Sequence, residues 1–346
     1  MANILYGVCG QGSGHSARAK VIINHLIQKG HTIHIVSYDK GIKNLSPYFP
    51  VHEIYGLRFT YENNEVQYLP TLFQSVIGLP DAAKSIQYLT HVIEEKNIDL
   101  VITDFEPLSC YVANAKKIPV ISLDNQHAFT KAKVAYPKQY HKDAVAARMV
   151  TKLLIPKADT YLGLTFFPEK PLDKKTFFFP PVLRPEILDA KPTDGDFVLA
   201  YFTSPFTEIL PILKSINKKF ICYGFAKNAR MGNVILKKAS EKEFLKDLMR
   251  CEAVMANSGF TLVGEALHLG KPYLALPVQA QFEQTLNAYY VEKLGFGRYY
   301  DELNREKIES FLFNLGTYKK NLKKYKKHTN AAILKKLDTL IGQYSK

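Results

Sequence analysis

The sequence predicts an α/β protein built from two successive doubly wound units, and three observations carry that prediction. The chain has 346 residues, more than a single hydrophobic core usually supports. In both halves short apolar runs alternate with stretches of helical spacing, the pattern of parallel strands joined by crossover helices. Between the halves, residues 150–196 are dense in proline and aromatic residues and lack a helical period. The interdomain connection is therefore expected around 184–196, with a first domain over 1–185 and a second over 186–346.

In order along the chain, "NILYGV" (3–8) is a short apolar strand before glycines. "ARAKVIINHLIQKG" has apolar positions at helical spacing and a glycine stop, and "HTIHIVSYD" returns to strand character. "IDLVITD" (98–104) and "IPVISLD" (118–124) read as buried parallel strands with the helix "PLSCYVANAKK" between them. The second series starts at "DFVLAYFTS" (196–204). It continues through "FTEILPILKSI", "KFICYGF", "SEKEFLKDLMRCEAVMANSG", "TLVGEALHLGKPYLALPV" and "QTLNAYYVEKLGFGRYYD". Two Rossmann-like domains then face each other across a cleft, and ligands of such open sheets bind at the carboxyl ends of the strands.

The net charge of +14 suggests an anionic partner, whether nucleic acid, a phosphorylated small molecule or an anionic membrane surface. No nucleic-acid-binding signature accompanies it, so no nucleic acid is expected. Cys9, Cys110, Cys222 and Cys251 are widely spaced and form no C-x-x-C pair, which predicts buried free thiols in a reducing compartment. No apolar run is long enough to span a bilayer and no signal-peptide core opens the chain. A cytoplasmic protein, touching a membrane only from its inner face, is expected. Two stretches are candidates for that contact. "TYKKNLKKYKKHTNAAILKKL" (317–337) carries eight lysines and reads either as a basic amphipathic helix or as a solvated face held by its few apolar residues. "YLPTLFQSVIGLPDAAKSI" (68–86) reads equally as a core helix or an acceptor-side hydrophobic loop.

"GQGSGHSAR" (10–18) lies between the first strand and the first helix. Glycines at such a turn let a phosphate approach backbone N–H groups, so Gly12 and Gly14 are nucleotide or diphosphate candidates. A dinucleotide turn of the dehydrogenase kind fits the looser spacing, with Asp39 as a ribose acid. That motif has no chemical need for His15, which as a base is more natural, while a tight turn with a capping histidine is the bland alternative.

The second half is sharper. "EAVMANSG" runs a strand into a turn that presents backbone N–H groups at the start of "TLVGEALHLG". Glu265 is spaced to reach a ribose whose diphosphate sits at that N-terminus, and Gln279, Gln281, Glu283 and Gln284 follow the next strand as partners for sugar hydroxyls.

Through Ser258-Gly259, Glu265, Gly270, Pro272, Pro277 and the Glu283-Gln284 to Asn287 segment, the chain resembles the GT-B glycosyltransferases. The similar branch holds the peptidoglycan lipid-linked N-acetylglucosaminyltransferase and the UDP-glycosyltransferases. "GSGHSAR" fits the same resemblance, and "TDFEP" and "DNQH" are similar to segments of a further glycosyltransferase group over nearly the whole length. The resemblance implies that Glu265 holds the donor ribose, and that Ser258, Gly259, Phe260 and Thr261 bind the diphosphate. It implies that Glu283 and Gln284 bind donor sugar hydroxyls. Asn257 stands where plant members carry a diphosphate histidine, and the loop after Pro277 is slightly longer than theirs. Because "YFTSP" replaces a glycine loop, Thr203 and Ser204 become phosphate candidates.

The function so implied is inverting, metal-independent transfer from a UDP-sugar, a co-substrate rather than a cofactor, to an acceptor hydroxyl on a lipid or cell-envelope glycan. His15 removes the acceptor proton, with Asp104 or Glu106 on its far nitrogen and His127 as a second base. The leaving diphosphate is taken by the helix N-terminus, and Asp194-x-Asp196 is short enough to be chance, so no metal is expected. A nucleotide-sugar hydrolase sharing G-x-G-H-x-x-R (Gly12, Gly14, His15, Arg18) and a non-enzymatic nucleotide-sugar sensor are the alternatives.

Overall fold

A computed structural model describes residues 1–56, 80–203 and 206–345, together with the backbone of residues 60–62, 65–67 and 79. It contains two sheets of seven strands each and a two-stranded ribbon. The first sheet is built from β1 (Asn3–Val8), β2 (Thr32–Ser37), β3 (Val51–Glu53), β6 (Leu100–Asp104), β7 (Val120–Asp124), β8 (Thr160–Leu164) and β9 (Thr176–Phe179). All its pairings are parallel, in the order β3-β2-β1-β6-β7-β8-β9. The ribbon is β4 (Thr60–Glu62) with β5 (Glu65–Gln67).

The second sheet runs β12-β13-β11-β10-β14-β15-β16. Its members are β10 (Phe197–Tyr201), β11 (Lys219–Tyr223), β12 (Ala229–Met231), β13 (Val234–Leu236), β14 (Ala253–Ala256), β15 (Tyr273–Ala275) and β16 (Gly297–Tyr299). Only the β12–β13 pair is antiparallel. β6, β7, β8 and β14 are buried at every residue, as expected of strands covered by helices on both faces.

This strand order fixes where ligands belong. Among the parallel strands of each sheet the order reverses at one point, and the loops leaving the two strands there splay apart to form a crevice. In the first sheet that point lies between β1 and β6, whose last residues Val8 and Asp104 are paired. In the second it lies between β10 and β14, where Tyr201 pairs with Ala256. The glycine turn after Val8, the "TDFEP" turn, the loop after Tyr201 and the "NSG" turn are therefore brought to the two crevices by topology alone.

The elements read from the sequence appear with ends shifted by a few residues, and the 150–196 stretch is more ordered than its composition suggests. The helix His141–Leu154 runs into it and β8 and β9 lie inside it. The basic stretch 317–337 is not one helix. Leu315–Leu322 and Ala331–Tyr344 are separate helices, with buried Leu322, Ile333 and Leu337 holding them down while Lys320, Lys323, Lys324, Lys326 and Lys327 face solvent. The last helix lies against the first sheet: His25 Nε2 meets Asp338 at 2.7 Å and Thr160 Oγ1 meets Tyr344 Oη at 2.8 Å. Of 68–86, residues 68–78 lie outside the described residues, and the rest belongs to the helix Leu79–Glu95. The four cysteines are buried free thiols. Among the described residues no helix is long and apolar enough to cross a membrane.

Candidate active site

His15 is the second residue of the helix Gly14–Gln28, at the mouth of the first crevice. Its Nδ1 lies 2.7 Å from Asp104 Oδ1. Asp104 is fully buried at the end of β6 and also accepts from Arg18, through Nε at 2.7 Å and NH2 at 2.5 Å. Arg18 donates further to Asn125 Oδ1 at 2.8 Å. Arg18 NH2 is also 2.8 Å from His15 Nδ1. A ring nitrogen cannot both donate to the carboxylate and accept from the guanidinium. With Arg18 already satisfied by Asp104 and Asn125, the consistent tautomer carries its proton on Nδ1, donates it to Asp104, and leaves the Nε2 lone pair open. Burial opposes the Arg18 charge, but Asp104 more than offsets it and holds the guanidinium pKa above its ordinary value. Because Arg18 takes both oxygens of Asp104, the carboxylate's main effect on His15 is to orient the ring.

Glu106 has another task. Both its oxygens accept backbone N–H bonds, from Leu108 and Ser109 at 2.8 Å each, so it caps the helix Pro107–Lys116. Burial raises its pKa against those bonds. Of the two carboxylates proposed for the far nitrogen of His15, Asp104 is the one in contact. Phe105 between them adopts the left-handed region at φ 55°, which turns the chain sharply enough for Asp104 to face the crevice and Glu106 to face its helix. His127 forms its own pair one strand along: Nδ1 is 2.7 Å from Asp124 Oδ2, and Ser122 donates to that same oxygen at 2.5 Å. Burial disfavours the Asp124 charge, yet His127 and Ser122 bring its pKa down to about 2. His127 itself is buried, with its ring centroid 4.7 Å from that of Tyr161.

On the other side of the cleft, Gly259 is the N-cap of the helix Phe260–His268. Its φ of −63° is open to any residue, and a Cβ placed there would meet nothing within 4 Å. The fold does not require glycine here, so the open space above the helix N-terminus is available to a ligand. Ser258 is fully buried and its Oγ has no partner. Asn257 ties the crevice together, accepting from Thr203 N at 2.8 Å and donating to Leu276 O at 2.8 Å. Thr203 is exposed, and Ser204 lies outside the described residues. The Phe260 ring packs inward, 6.2 Å from Phe166. Thr261 Oγ1 donates to Gly14 O at 3.3 Å, so the two glycine turns touch. A Cβ on Gly14 would come within 2.7 Å of that hydroxyl, and this close approach is what glycine at position 14 permits.

Glu265 is fully buried and accepts a bidentate pair from Arg184, at 2.7 Å from Nε and 2.6 Å from NH2. Arg184 also reaches Glu241 at 3.0 Å, and Glu241 accepts from Lys20 at 3.0 Å. Here the guanidinium occupies one acceptor position on each carboxylate oxygen, where ribose hydroxyls were expected. A ribose reaching Glu265 must displace or share it. Among the sugar candidates, Glu283 Oε2 accepts from Gln126 Nε2 across the cleft at 2.8 Å. Gln284 accepts from Val278 N at 3.1 Å and donates to Gln281, while Gln279 is exposed. Ala280 beside them sits at φ 60°. Asp194 is paired with Lys271 at 3.0 Å and Lys319 at 2.9 Å, and Asp196 with Lys219 at 3.6 Å.

Besides Ser258 Oγ, two polar atoms next to the cleft are buried without partners, Asn125 Nδ2 and Gln126 Oε1. A buried polar group without a partner is costly unless a ligand or water meets it. Neither residue, nor Arg184, was marked as a site residue in the sequence. The signal was a polar "DNQH" at a strand end and a lone arginine in the apolar "PVLRPEI" beside the second half.

The same strands, turns and helices are matched by the model of glycosyl transferase family 1 over residues 2–316. The chain belongs to that family. It is a glycosyltransferase of GT-B architecture. The "Uncharacterized glycosyltransferase" of Methanosarcina acetivorans is 24% identical over 329 residues, covering 85% of this chain and 84% of the relative. The glycotransferase of kitacinnamycin superposes with a TM-score of 0.71 at 16% identity, over 99% of both chains. MurG of Acinetobacter baumannii gives 0.63 at 15% identity, over 99% of this chain and 100% of its own. These two structures establish the shared fold.

Proposed function

We propose that this glycosyltransferase moves a sugar from a nucleoside diphosphate sugar, a UDP-sugar foremost, to an acceptor hydroxyl with inversion and without an essential metal. The observation that carries the reading is the meeting of the two crevices. The His15–Asp104–Arg18 cluster sits where the first sheet reverses, and the first helix touches the open helix N-terminus of the second through Gly14 and Thr261.

In this reading the acceptor hydroxyl lies against the first half and gives its proton to His15 Nε2 as its oxygen attacks the anomeric carbon. Asp104 keeps the ring turned and its Nδ1 protonated. The diphosphate leaves from the opposite face onto the N–H groups at Gly259 to Thr261, with Ser258 Oγ as a further donor, and the positive end of the helix takes the developing charge. Glu283, Gln284 and Gln281 meet donor sugar hydroxyls, and Glu265 meets the ribose once Arg184 turns aside. An arginine freed beside a diphosphate is itself a suitable phosphate partner. A lipid-borne acceptor and an anionic membrane surface suit the net charge of +14.

The test is a donor screen with purified protein and isotope-labelled UDP-sugars, with and without a polyprenyl-phosphate-linked sugar acceptor. Product formed only with acceptor supports transfer. Release of UDP and free sugar at the same rate without acceptor supports hydrolysis and contradicts the reading.

A further inference from the structure

The helix His141–Leu154 turns an apolar face to solvent. Val145, Ala146, Met149, Val150 and Leu153 are all exposed on it, Met149 and Leu153 at 67% each. Their spacing places them in one stripe. Half-exposed Tyr111 from the neighbouring helix extends the stripe, its hydroxyl donating to Leu153 O at 2.5 Å. Exposed lysines bracket it, Lys142 at the start and Lys152 and Lys157 at the end. Asp143, the one acid on this helix, is half-buried. The opposite face is anchored to the cleft. Arg148 donates to Phe129 O at 2.9 Å and to Tyr136 Oη at 3.1 Å. The rings of Phe129 and Tyr136 stand edge-on to Phe282, the residue before Glu283.

We propose that this face of His141–Leu154 is the surface through which the enzyme docks on an anionic lipid bilayer. An apolar stripe with cations at its ends matches an interface, where side chains enter the acyl boundary and lysines meet headgroup phosphates. A second copy is a poor occupant. Docked antiparallel, Lys142 of one copy faces Lys152 of the other. Docked parallel, like lysines face each other, and the helix has a single carboxylate, the half-buried Asp143, to set against them. The placement extends the reading of a lipid-borne acceptor, because the helix stands one layer behind Phe129 and Tyr136 at the cleft rim; docking and donor binding are nevertheless measured separately.

The experiment is co-sedimentation of the full chain with phosphatidylglycerol–phosphatidylcholine vesicles and with pure phosphatidylcholine vesicles. Alongside go Met149→Glu/Leu153→Glu, Lys142→Glu/Lys152→Glu, and the tail variant Lys323→Glu/Lys324→Glu. The proposal expects binding to the anionic vesicles only. It expects the bound-to-free ratio to fall at least about tenfold in the first two variants, while the tail variant keeps most of it. UDP-induced thermal stabilisation equal to wild type shows that the variants are folded with an intact donor site. Absence of wild-type binding to anionic vesicles, binding unaffected by Met149→Glu/Leu153→Glu, or binding lost chiefly in the tail variant overturns the proposal. So does a wild-type dimer in solution that Met149→Glu/Leu153→Glu converts to monomer.

Discussion

At the scale of residues, Asp104 accepts from His15 and from Arg18, and the two contacts make different predictions. His15→Ala removes the base while leaving the pair Arg18–Asp104 in place. It is expected to lower kcat by about 10²–10⁴ with little change in thermal midpoint or UDP affinity. Asp104→Asn removes the tautomer anchor and leaves the Arg18 charge buried without its carboxylate. Activity falls as in His15→Ala, and stability falls by about 3–5 kcal/mol, the usual cost of breaking one partner of a buried pair. Urea denaturation of the two variants distinguishes them. His15 and Asp104 could be marked as candidates because a glycine turn and a strand end lie where ligands of such sheets bind. Glu106 looked equivalent from spacing alone. Only the left-handed Phe105, invisible in sequence, sends it to the helix cap. For Glu265 the sequence marked the acid but not the guanidinium that holds it, since Arg184 is 81 residues away.

At the scale of elements, the "NSG" turn and its helix are the proposed donor side. Gly259→Ala meets no atom within 4 Å and needs no special φ. It is expected to change stability by less than about 1 kcal/mol while weakening UDP binding at least about tenfold, because the methyl occupies the phosphate space. Equal affinity in titration calorimetry would place the diphosphate elsewhere. The end of the same helix gives a pH prediction. Burial, helped by His328 and Lys327, brings the His268 pKa down from 6.5 to about 4. Between those values the unfolded chain binds more protons than the native one, so stability is full above pH 6.5 and falls as pH drops toward 4. His268→Leu flattens that part of the profile in denaturant titrations at stepped pH. Strand and helix periodicity made most elements legible. The helix His141–Leu154 was not, because it buries mainly small residues, Ala144 and Thr151, and shows its larger apolar side chains outward, against the pattern that marks a core-facing helix.

At the scale of the whole molecule, the two α/β halves meet through an apolar seam, with Phe129 and Tyr136 against Phe282 and Phe167 against Tyr290, and through polar contacts that include Gly14 with Thr261, Gln126 with Glu283, and Lys20 with Glu241. Gly14→Val forces the halves apart at Thr261 and is expected to lower the thermal midpoint, with Thr261→Ala restoring part of the loss in a double-mutant cycle. The alternation of strands and helices declared two doubly wound units, and the order of motifs marked the second as the unit proposed to bind the nucleotide. How closely the halves approach depends on atoms hundreds of residues apart in sequence, and no local pattern records it. The proposed activity requires that the crevice between β10 and β14 hold a nucleoside diphosphate opposite His15. The direct test is the thermal midpoint of the purified protein with UDP, dTDP, GDP, CMP and NAD, for wild type, Glu265→Gln and Gly259→Ala. At 100 times its dissociation constant a ligand adds about 2.7 kcal/mol, a midpoint shift of several degrees. A shift with UDP or dTDP that both variants diminish is the predicted result. No shift with either diphosphate, or a shift with NAD alone, would contradict it.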